Sequence, residues 1–476
     1  MRPRGSSPSR AERLSRALLI SVGPGEAWAA LCEDGAPVAL RIARSGAGPR
    51  AGTLFLGRIV ALDPALPAAL VDIGADRPGF LSAEDALPRT GIGGLNEGEA
   101  VVVQVTKEAR ADKAVGLTLR PRLEGALLDL RPGRPGVVAA RGLDASDRAR
   151  IAAVLAAIAA PGEGFVLRAG AEMASEAALA ADAASLRARW QAVEAARRSA
   201  TPPARLEPEP EPVAELLAAL AGAAPDRIVI DDRAAFAAAR HWLLRHRPGL
   251  APRLALHAEA GPLFETEGVA AAIEAALSPR VALAGGGAIT IEATAACVTI
   301  DVDSGGAAAK AANLDAAREA ARQIRLRNLA GPIVIDFITL SRPGERDAVR
   351  AALAAALADD PARPQLLGWT RLGHFELVRA RRHAALDEIL FERSAEGGRV
   401  KTALSVALEA LKAVAREADA APACAFRLAV APEVAACLEE GAARPARLGL
   451  EVRLGRAVAV MAEPGRKRAA FDIAAI

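Results

Sequence analysis

The chain has 476 residues, with 60 Lys and Arg residues against 57 Asp and Glu residues, and a formal net charge of +3. At this length several domains are expected, and so mild a basic excess excludes a histone-like protein that binds nucleic acid by charge alone. No apolar run approaches the ~20 residues of a membrane-spanning helix, so we expect no membrane span. Four scattered cysteines form no disulfide framework, which indicates a reducing cytoplasm.

The first part of the chain predicts β structure followed by a helix. Residues 17–47 predict three short strands separated by turns with Gly and Pro. Residues 50–122 alternate apolar and polar residues in short runs with turn signals, which is typical of a small barrel. Residues 123–205 mix predicted strands with a helix from Ser175 to Arg198. Residues 201–213 are rich in Pro and Glu and predict an extended linker.

Helices and strands alternate in the prediction for the rest of the chain. A helix at Val213–Ala223, a strand at Arg227–Ile230 and a helix at Arg233–Arg245 follow the linker. Residues 279–392 predict a strand–helix–strand core, in which the basic helix Leu314–Arg327 lies between two short apolar runs.

A run of three glycines, Gly285–Gly287, lies near the start of this core. It lacks the GxGxxG or Walker spacing of a phosphate-binding loop, so we interpret it as a turn between strands. Beyond the core, residues 401–476 predict a helix at Lys401–Ala418 and then alternating α and β segments.

Two aspartates each close a short apolar run that predicts a buried strand: Asp301 follows Val298–Ile300, and Asp336 follows Ile333–Ile335. A carboxylate at the tip of a buried strand is costly unless something pairs with it. Two such tips side by side would form an oxygen-lined site suited to Mg²⁺, which can activate water and stabilise charge on a phosphate. Each Asp can equally be a turn residue or a helix cap, so the two residues alone leave both interpretations open.

The segments around these aspartates resemble the catalytic core of the ribonuclease E/G family. Ile300–Gly305 reads IDVDSG and is similar to the family's IDVNSG. The ordered series NLDAA from Asn313, ARQIRLRNL from Ala321 and IVIDFI from Ile333 is similar to the family's NLEAA, ARQLRLRNL and IIIDFI.

The resemblance also extends to both ends of the chain. Gly52–Val60 and Gly79–Leu81 are similar to the family's S1-like RNA-binding barrel, and Pro262–Glu265 is similar to its PLFD sequence. The match runs from about Leu18 to the C-terminus, and the length fits the short G type of the family.

The resemblance implies an α/β multidomain fold, in which an RNase H-like subdomain is interrupted by an S1-like OB barrel and a 5′-sensor region. A DNase I-like catalytic subdomain and a small α/β C-terminal domain follow. The implied boundaries are 1–48 for the first part of the RNase H-like subdomain, 49–122 for the barrel, 123–205 for the 5′-sensor region, 206–278 for the rest of the RNase H-like subdomain, 279–392 for the catalytic subdomain, 393–400 for a degenerate zinc-link segment and 401–476 for the C-terminal domain.

By the same resemblance, the protein is expected to be a Mg²⁺-dependent endoribonuclease that cuts single-stranded RNA, with Mn²⁺ as a possible substitute. Metal-activated water would leave 5′-phosphate and 3′-hydroxyl ends. The implied role is rRNA processing or mRNA decay in the cytoplasm, and the implied assembly is a homodimer.

The resemblance places four residues in the catalytic site. Asp301 and Asp336 match the family's metal-binding carboxylates. Asp303 stands where the family has Asn, and its carboxylate could tighten the metal, repel the phosphate and raise a neighbour's pKa, or change little. Arg379 matches the Arg after the family's GLVEM sequence, here GHFEL, and would hold the scissile phosphate through paired N–H donors. The alternative for the whole Arg379–Arg382 cluster is a solvated basic surface.

A second set of residues is implied in RNA binding by the barrel. Phe80 and Phe55, with Lys107 and Lys113, would form a surface that stacks bases and contacts phosphates. Either Phe can equally be a core residue. We expect Phe80 at the surface, because it follows a Gly in a turn-to-strand segment, and Phe55 in the core.

Arg168 matches the Arg of the family's RTAG 5′-phosphate sensor. The sequence here continues with Ala169 and Gly170, so the Thr hydroxyl donor is absent and sensing of a 5′-monophosphate is left open. The alternative is a surface Arg at a strand end.

Other positions depart from the family. Residues 390–400 stand where its CPxCxGxG zinc link lies and contain no Cys, so no thiolate-bound zinc is expected and a homodimer would depend on protein–protein contacts. Ala295 replaces a Glu, Thr339 replaces an Asp, and Leu70 replaces a stacking aromatic residue. These losses favour an alternative, a catalytically weakened or inactive RNA-binding member, whereas the retained aspartate pair favours the enzyme. A structural module without an RNA role would require the barrel match to be accidental.

Overall fold

The structure is a computed structural model that describes residues 15–46, 48–63, 65–87, 91–109, 113–138, 145–168, 171, 174–294, 296–340, 342–381, 383–394 and 397–476. The chain forms two compact units: Met1–Ala47 with Glu211–Ile476, and Gly48–Pro210. Among the described residues, no helix combines the length and the apolar composition that crossing a membrane requires.

The strands of the described residues are β1 (Arg16–Gly23), β2 (Glu26–Glu33), β3 (Ala36–Arg44), β4 (Leu54–Asp63), β5 (Ala68–Asp72), β6 (Gly79–Ser82), β7 (Ala100–Lys107), β8 (Gly116–Thr118), β9 (Leu123–Glu124), β10 (Leu128–Pro132), β11 (Gly136–Val138), β12 (Glu163–Leu167), β13 (Ala204–Arg205), β14 (Arg227–Ile230), β15 (Leu254–Leu256), β16 (Arg280–Ala282), β17 (Ala288–Ala293), β18 (Val298–Asp303), β19 (Gly331–Asp336), β20 (Gln365–Trp369), β21 (Phe375–Arg379), β22 (Phe391–Arg393), β23 (Arg399–Lys401), β24 (Phe426–Val430), β25 (Val458–Ala462) and β26 (Asp472–Ala475).

The α-helices of the same residues are α1 (Ala145–Ile158), α2 (Glu176–Ser199), α3 (Pro212–Leu220), α4 (Arg233–His246), α5 (Leu263–Thr266), α6 (Val269–Leu277), α7 (Ala309–Leu326), α8 (Pro343–Ala356), α9 (Leu386–Leu390), α10 (Ala403–Ala420), α11 (Pro432–Glu439) and α12 (Arg444–Leu454).

The first sheet of the larger unit combines segments that are far apart in sequence. Its strand order is β15–β14–β1–β2–β3, and β1 pairs in parallel with β14, with Leu18 opposite Ile228. Leu18 and Ile228 are buried with residues of α3 and α4 in one apolar core. The predicted strand Arg227–Ile230 is confirmed, and residues 48–210 therefore interrupt this sheet in the sequence.

The smaller unit contains a closed five-stranded barrel, consistent with an OB-like domain. Strands β4, β5, β6, β8 and β7 follow one another, and a pairing between β4 and β7 closes the ring. Closure leaves no free sheet edge within the ring. The predicted extended linker contributes one short strand, since Ala204 pairs with Leu56 beside the barrel.

The rest of the smaller unit is a four-stranded sheet, ordered β11–β12–β10–β9, with helices α1 and α2. The predicted helix Ser175–Arg198 is confirmed as α2. Ser175 is its N-cap, and the side chain accepts a hydrogen bond from the backbone N–H of Ala178.

The second sheet of the larger unit has six strands in the order β16–β17–β18–β19–β21–β20. β18 and β19 are parallel, and α7 connects them. Helix α7 packs with α8 against one face of this sheet in an apolar core. It begins at Ala309 and not at the predicted Leu314, because the preceding alanines and Lys310 also favour helix.

The C-terminal part of the larger unit is a three-stranded sheet, β25–β24–β26, packed with α10, α11 and α12. Where the family's zinc link would lie, β22 and β23 form a hairpin. Just beyond the paired strands, the backbone N–H of Ser394 donates to the carbonyl oxygen of Gly398 over 2.7 Å.

Candidate active site

Asp301 and Asp336 lie side by side on neighbouring strands. In the parallel pairing of β18 with β19, Asp301 is directly opposite Asp336. Ile300 and Ile335 point into the core beneath α7. Because side chains alternate along a strand, the two aspartates point to the opposite face. Both are exposed there.

We call this opposite side the open face of the six-stranded sheet. It carries side chains at Thr290, Asp301, Asp303, Asp336 and Glu376. The strand-end position of the two key carboxylates follows from the apolar runs before them. The pairing itself follows from the crossover through α7, which brings two strands distant in sequence into one parallel pair.

Asp303 lies on the open face two residues after Asp301. Its carboxylate accepts hydrogen bonds from the backbone N–H of Gly305 over 3.0 Å and from Arg280 Nη2 over 3.1 Å. These bonds, that from Gly305 first and then that from Arg280, lower the pKa of Asp303 below its ordinary value. Asp303 therefore has a cationic partner, whose charge opposes the repulsion considered from the sequence.

His374 adds a group that the sequence reasoning missed. Its Nε2 lies 3.7 Å from Asp336 Oδ1. β19 and β21 are antiparallel, and Ile335 is opposite Phe375. One residue further along, Asp336 therefore comes close to His374. The sequence signal was weak, because His374 belongs to no metal-binding motif and only the strand register places it beside an aspartate.

Asn313 fixes the segment that follows Asp336. Its side chain is fully buried, donates to the carbonyl of Ile338 over 2.7 Å and accepts from the N–H of the same residue over 3.0 Å. The amide of α7 thus holds the chain just beyond β19. The role of this Asn is positional and was not recognised in the sequence.

The predicted glycine turn is confirmed between β16 and β17. Gly287 has a φ of +79°, and a Cβ there would lie 2.1 Å from the carbonyl oxygen of Asp303. A residue without a side chain is needed because this turn passes directly against the end of β18.

Arg379 does not reach the open face. Its side chain is 3% exposed, and Nε and Nη2 donate to the two carboxylate oxygens of Asp360 over 2.7 and 3.1 Å. Nη1 donates to Asn328 Oδ1 and to the carbonyl of Leu329. The paired donors predicted to hold the scissile phosphate are thus already used inside the protein, so this geometry corrects the expectation.

Of the other two arginines in the Arg379–Arg382 cluster, the structure describes Arg381. Arg381 forms an ion pair with Glu388 over 2.7 Å. Arg382 lies outside the described residues. The part of the cluster that the structure describes is therefore paired with carboxylates.

On the barrel, Phe80 and Phe55 differ as expected. Phe80 is 42% exposed, whereas Phe55 is 6% exposed and belongs to the barrel core. The assignment of Phe55 to RNA contact is therefore wrong, because its ring is enclosed by apolar side chains. Lys113 is exposed, as the RNA-binding interpretation requires.

Phe80 belongs to a row of exposed side chains across the barrel. It is opposite Leu70 on one side and Gly116 on the other, and Gly116 is opposite Lys107. Leu70 and Lys107 are also exposed. An apolar ring and an ammonium group thus share one surface, separated by a residue without a side chain.

Arg168 is held by two carboxylates. Its Nη1 donates to Asp129 Oδ1 over 2.9 Å and to Glu124 Oε2 over 3.1 Å. Burial lowers the pKa of the guanidinium, but the charges of Asp129 and Glu124 more than offset this and raise the pKa above its ordinary value. Ala169 and Gly170, which complete the sensor sequence, lie outside the described residues, as does Ala295.

Comparison with known proteins adds independent findings. The model of the Ribonuclease E/G family matches residues 123–382, more than half of the chain and including both aspartates. Ribonuclease G of Escherichia coli (strain K12) is 29% identical over 483 residues, which cover 96% of this chain and 99% of that protein.

Two longer relatives match a smaller share of their own length. Ribonuclease E of Nostoc sp. (strain PCC 7120) is 34% identical over 71% of this chain and 52% of its own. Ribonuclease E of Escherichia coli (strain K12) is 31% identical over 85% of this chain and 41% of its own.

Proposed function

This chain belongs to the ribonuclease E/G family and is an endoribonuclease, and from that premise we propose that it cuts single-stranded RNA at Asp301 and Asp336 with Mg²⁺ as cofactor. The observation that carries the proposal is the pairing of Asp301 with Asp336 on the open face. Two exposed carboxylates in adjacent positions are difficult to explain by stability, because neighbouring like charges repel.

The donor set fits a hard divalent cation. Proteins usually hold Mg²⁺ through one or two carboxylates, and water and substrate phosphate complete the coordination. Asp301 and Asp336 would hold the ion, and Mn²⁺ accepts the same oxygen donors. When bound, the metal supplies water activation and neutralises the charge that develops on the scissile phosphate, for a cut that leaves 5′-phosphate and 3′-hydroxyl ends.

Other residues of the chain would orient these parts. His374 lies beside Asp336 and would restrict the orientations of that carboxylate. Asn313 holds the backbone beyond it at Ile338. On the barrel, Phe80 would stack a base, and Lys107 and Lys113 would contact phosphates.

The finer architecture forms part of the same proposal. We propose the subdomain boundaries implied by the family resemblance, with the first sheet as RNase H-like and the six-stranded sheet as DNase I-like. The proposed role is rRNA processing or mRNA decay in the cytoplasm, and the four free cysteines support a reducing compartment. A homodimer formed without zinc is proposed as well, and light scattering of the purified protein tests it.

A second candidate is an RNA-binding member of the family that cuts weakly or not at all. The observation that favours it is that two arginines expected to bind RNA phosphates are paired with carboxylates of the protein. Arg379 is enclosed with Asp360, and Arg168 is paired with Asp129 and Glu124. Both guanidiniums would have to leave carboxylates before they could bind a phosphate.

Cleavage of an A/U-rich single-stranded RNA with a 5′-monophosphate separates the two candidates. We expect internal cuts with Mg²⁺ and none with EDTA. Asp301→Asn and Asp336→Asn should each lower the rate by at least about 10²–10³-fold, the usual loss when a group that stabilises transition-state charge is removed. Asp347→Asn, an exposed carboxylate on α8, is the matched control and should cut like the wild type.

The circular dichroism of each variant should match that of the wild type. If the wild-type protein binds this RNA but never cuts it, the RNA-binding candidate replaces the enzyme. If Asp301→Asn and Asp336→Asn cut as fast as the wild type, the proposed site is wrong.

A further inference from the structure

Arg280 lies in the same cross-strand row as the two aspartates. In the β16–β17 pairing Arg280 is opposite Thr290, and in the β17–β18 pairing Thr290 is opposite Asp301. Asp301 is in turn opposite Asp336. Residues directly opposite one another point to the same face of a sheet, so Arg280 belongs to the open face.

The guanidinium of Arg280 already reaches the strand that carries Asp301. Its Nη2 donates to Asp303 Oδ2 over 3.1 Å, and Asp303 lies on β18, two residues after Asp301. The side chain therefore extends from the edge strand β16 across β17. At 60% exposure it remains accessible from solvent.

The open face is rich in negative charge, which a nearby cation would offset. The face carries the carboxylates of Asp301, Asp303, Asp336 and Glu376. An RNA phosphate that approaches them is repelled unless positive charge offsets theirs. A metal would offset Asp301 and Asp336 but not Asp303. A guanidinium presents a planar set of donors that matches the geometry of phosphate oxygens.

We propose that Arg280 is a phosphate-binding residue of the active site, which exchanges its ion pair with Asp303 for an RNA phosphate next to the scissile bond. Asp303 is then a positioning residue that holds the guanidinium over β18 while no RNA is bound. This inference rests on the proposed endoribonuclease function. It explains why an Asp is compatible with a position beside the metal site, since its charge is matched by Arg280.

Arg318 provides a closely matched control. It lies on α7, on the covered side of the same sheet, is 62% exposed and pairs with Asp315 over 3.1 Å. The two arginines therefore agree in exposure and in pairing distance, and differ in the face of the sheet to which they belong.

The first experiment measures binding of a short, fluorescein-labelled, A/U-rich single-stranded RNA to the full chain in EDTA at several salt concentrations. Arg280→Gln should weaken binding by about five-fold, the size of one exposed ionic contact. The slope of log K against log salt should shrink by about 0.7, the value for one phosphate contact on a single strand. Arg318→Gln should leave affinity and slope unchanged. With Mg²⁺, Arg280→Gln should raise KM more than it lowers kcat.

The second experiment tests the exchange between the two partners. Asp303→Asn should raise RNA affinity in the wild-type background, because it removes a negative charge and also releases Arg280. In the Arg280→Gln background the gain should be smaller, because only the charge effect is left.

Equal gains in both backgrounds, or an Arg280→Gln protein that binds like Arg318→Gln, would overturn the inference. If the wild type binds and cuts RNA in a way that depends on Asp301, such a result removes only the role of Arg280. If the wild type neither binds nor cuts RNA, the proposed function fails and this inference fails with it.

Discussion

The two faces of the six-stranded sheet hold charged groups under opposite conditions. On the open face, Asp301 and Asp336 stand next to each other in solvent. On the covered side, Arg379 and Asp360 form a buried pair in which both carboxylate oxygens accept from the guanidinium. Asp301, Asp336 and Arg379 were all predicted to act at the scissile phosphate, and only the two aspartates have the access that this requires.

The difference follows from strand alternation. On β21 the side chains of Phe375, Leu377 and Arg379 are buried, while Glu376 and Val378 point the other way. The side chain of Arg379 therefore points to the same side of the sheet as the core residues Phe375 and Leu377. Two apolar residues at i−4 and i−2 already indicated this in the sequence. A motif identifies a residue, but the phase of its strand decides what that residue can touch.

The largest effect on stability is expected when one member of the buried pair Arg379–Asp360 is removed. Arg379→Ala leaves Asp360 buried and unpaired, so we expect the free energy of unfolding to fall by about 3–5 kcal/mol. Urea unfolding followed by tryptophan fluorescence measures it, since Trp369 packs against Phe337 and Phe375 in this sheet.

The control is Arg381→Ala, which removes a partly exposed ion pair and should cost less than about 1 kcal/mol. Equal losses of stability in the two variants would contradict the comparison. So would an Arg379→Ala protein of normal stability that no longer binds RNA, because that outcome would restore the phosphate-binding role.

The two phenylalanines of the barrel extend the comparison. Phe55→Ala should lower the free energy of unfolding by about 3 kcal/mol, because it leaves a cavity in the barrel core. Phe80→Ala should leave stability nearly unchanged and weaken RNA binding by about 1–3 kcal/mol, the cost of one lost base stack. Urea unfolding and fluorescence anisotropy on both variants give the four values, and a binding loss in Phe55→Ala at full stability would reverse the assignment.

The smallest effect on stability is expected at the ion pair of Glu163 with Arg187, which is neither fully buried nor fully exposed. Glu163 accepts two hydrogen bonds of 2.7 Å from Arg187, and these bonds lower the pKa of Glu163 below its ordinary value, with a further contribution from the N–H of Ala160. A depressed folded-state pKa gives a stabilisation that is present above the unfolded-state pKa. This stabilisation is lost as the pH falls through the folded-state value.

At neutral pH, the free energy of unfolding of Glu163→Gln should therefore be lower than that of the wild type by up to about 1 kcal/mol. In acid, where Glu163 of the wild type is protonated, the two proteins should be equally stable. Urea unfolding at a series of pH values checks this, with the fluorescence of Trp190 as a reporter in the smaller unit. A stability difference that does not change with pH would show that the pair does not act through ionisation.

The sequence by itself determined the elements and the positions of the aspartates. Apolar runs specified β18 and β19 and placed Asp301 and Asp336 at their ends, because burial of such runs is the main local signal for a strand. Alternation and turn residues specified the barrel, and the preference for an exposed Phe80 and a buried Phe55 was confirmed.

Only the tertiary structure decided which of these residues meet. The pairing of Asp301 with Asp336, the reach of Arg280 across β17 and the approach of His374 depend on strand order and register. These are set by long-range packing, and no local pattern of residues specifies them. For the same reason the basic character of Arg379 and Arg168 was evident in the sequence, but the carboxylates that hold them were not.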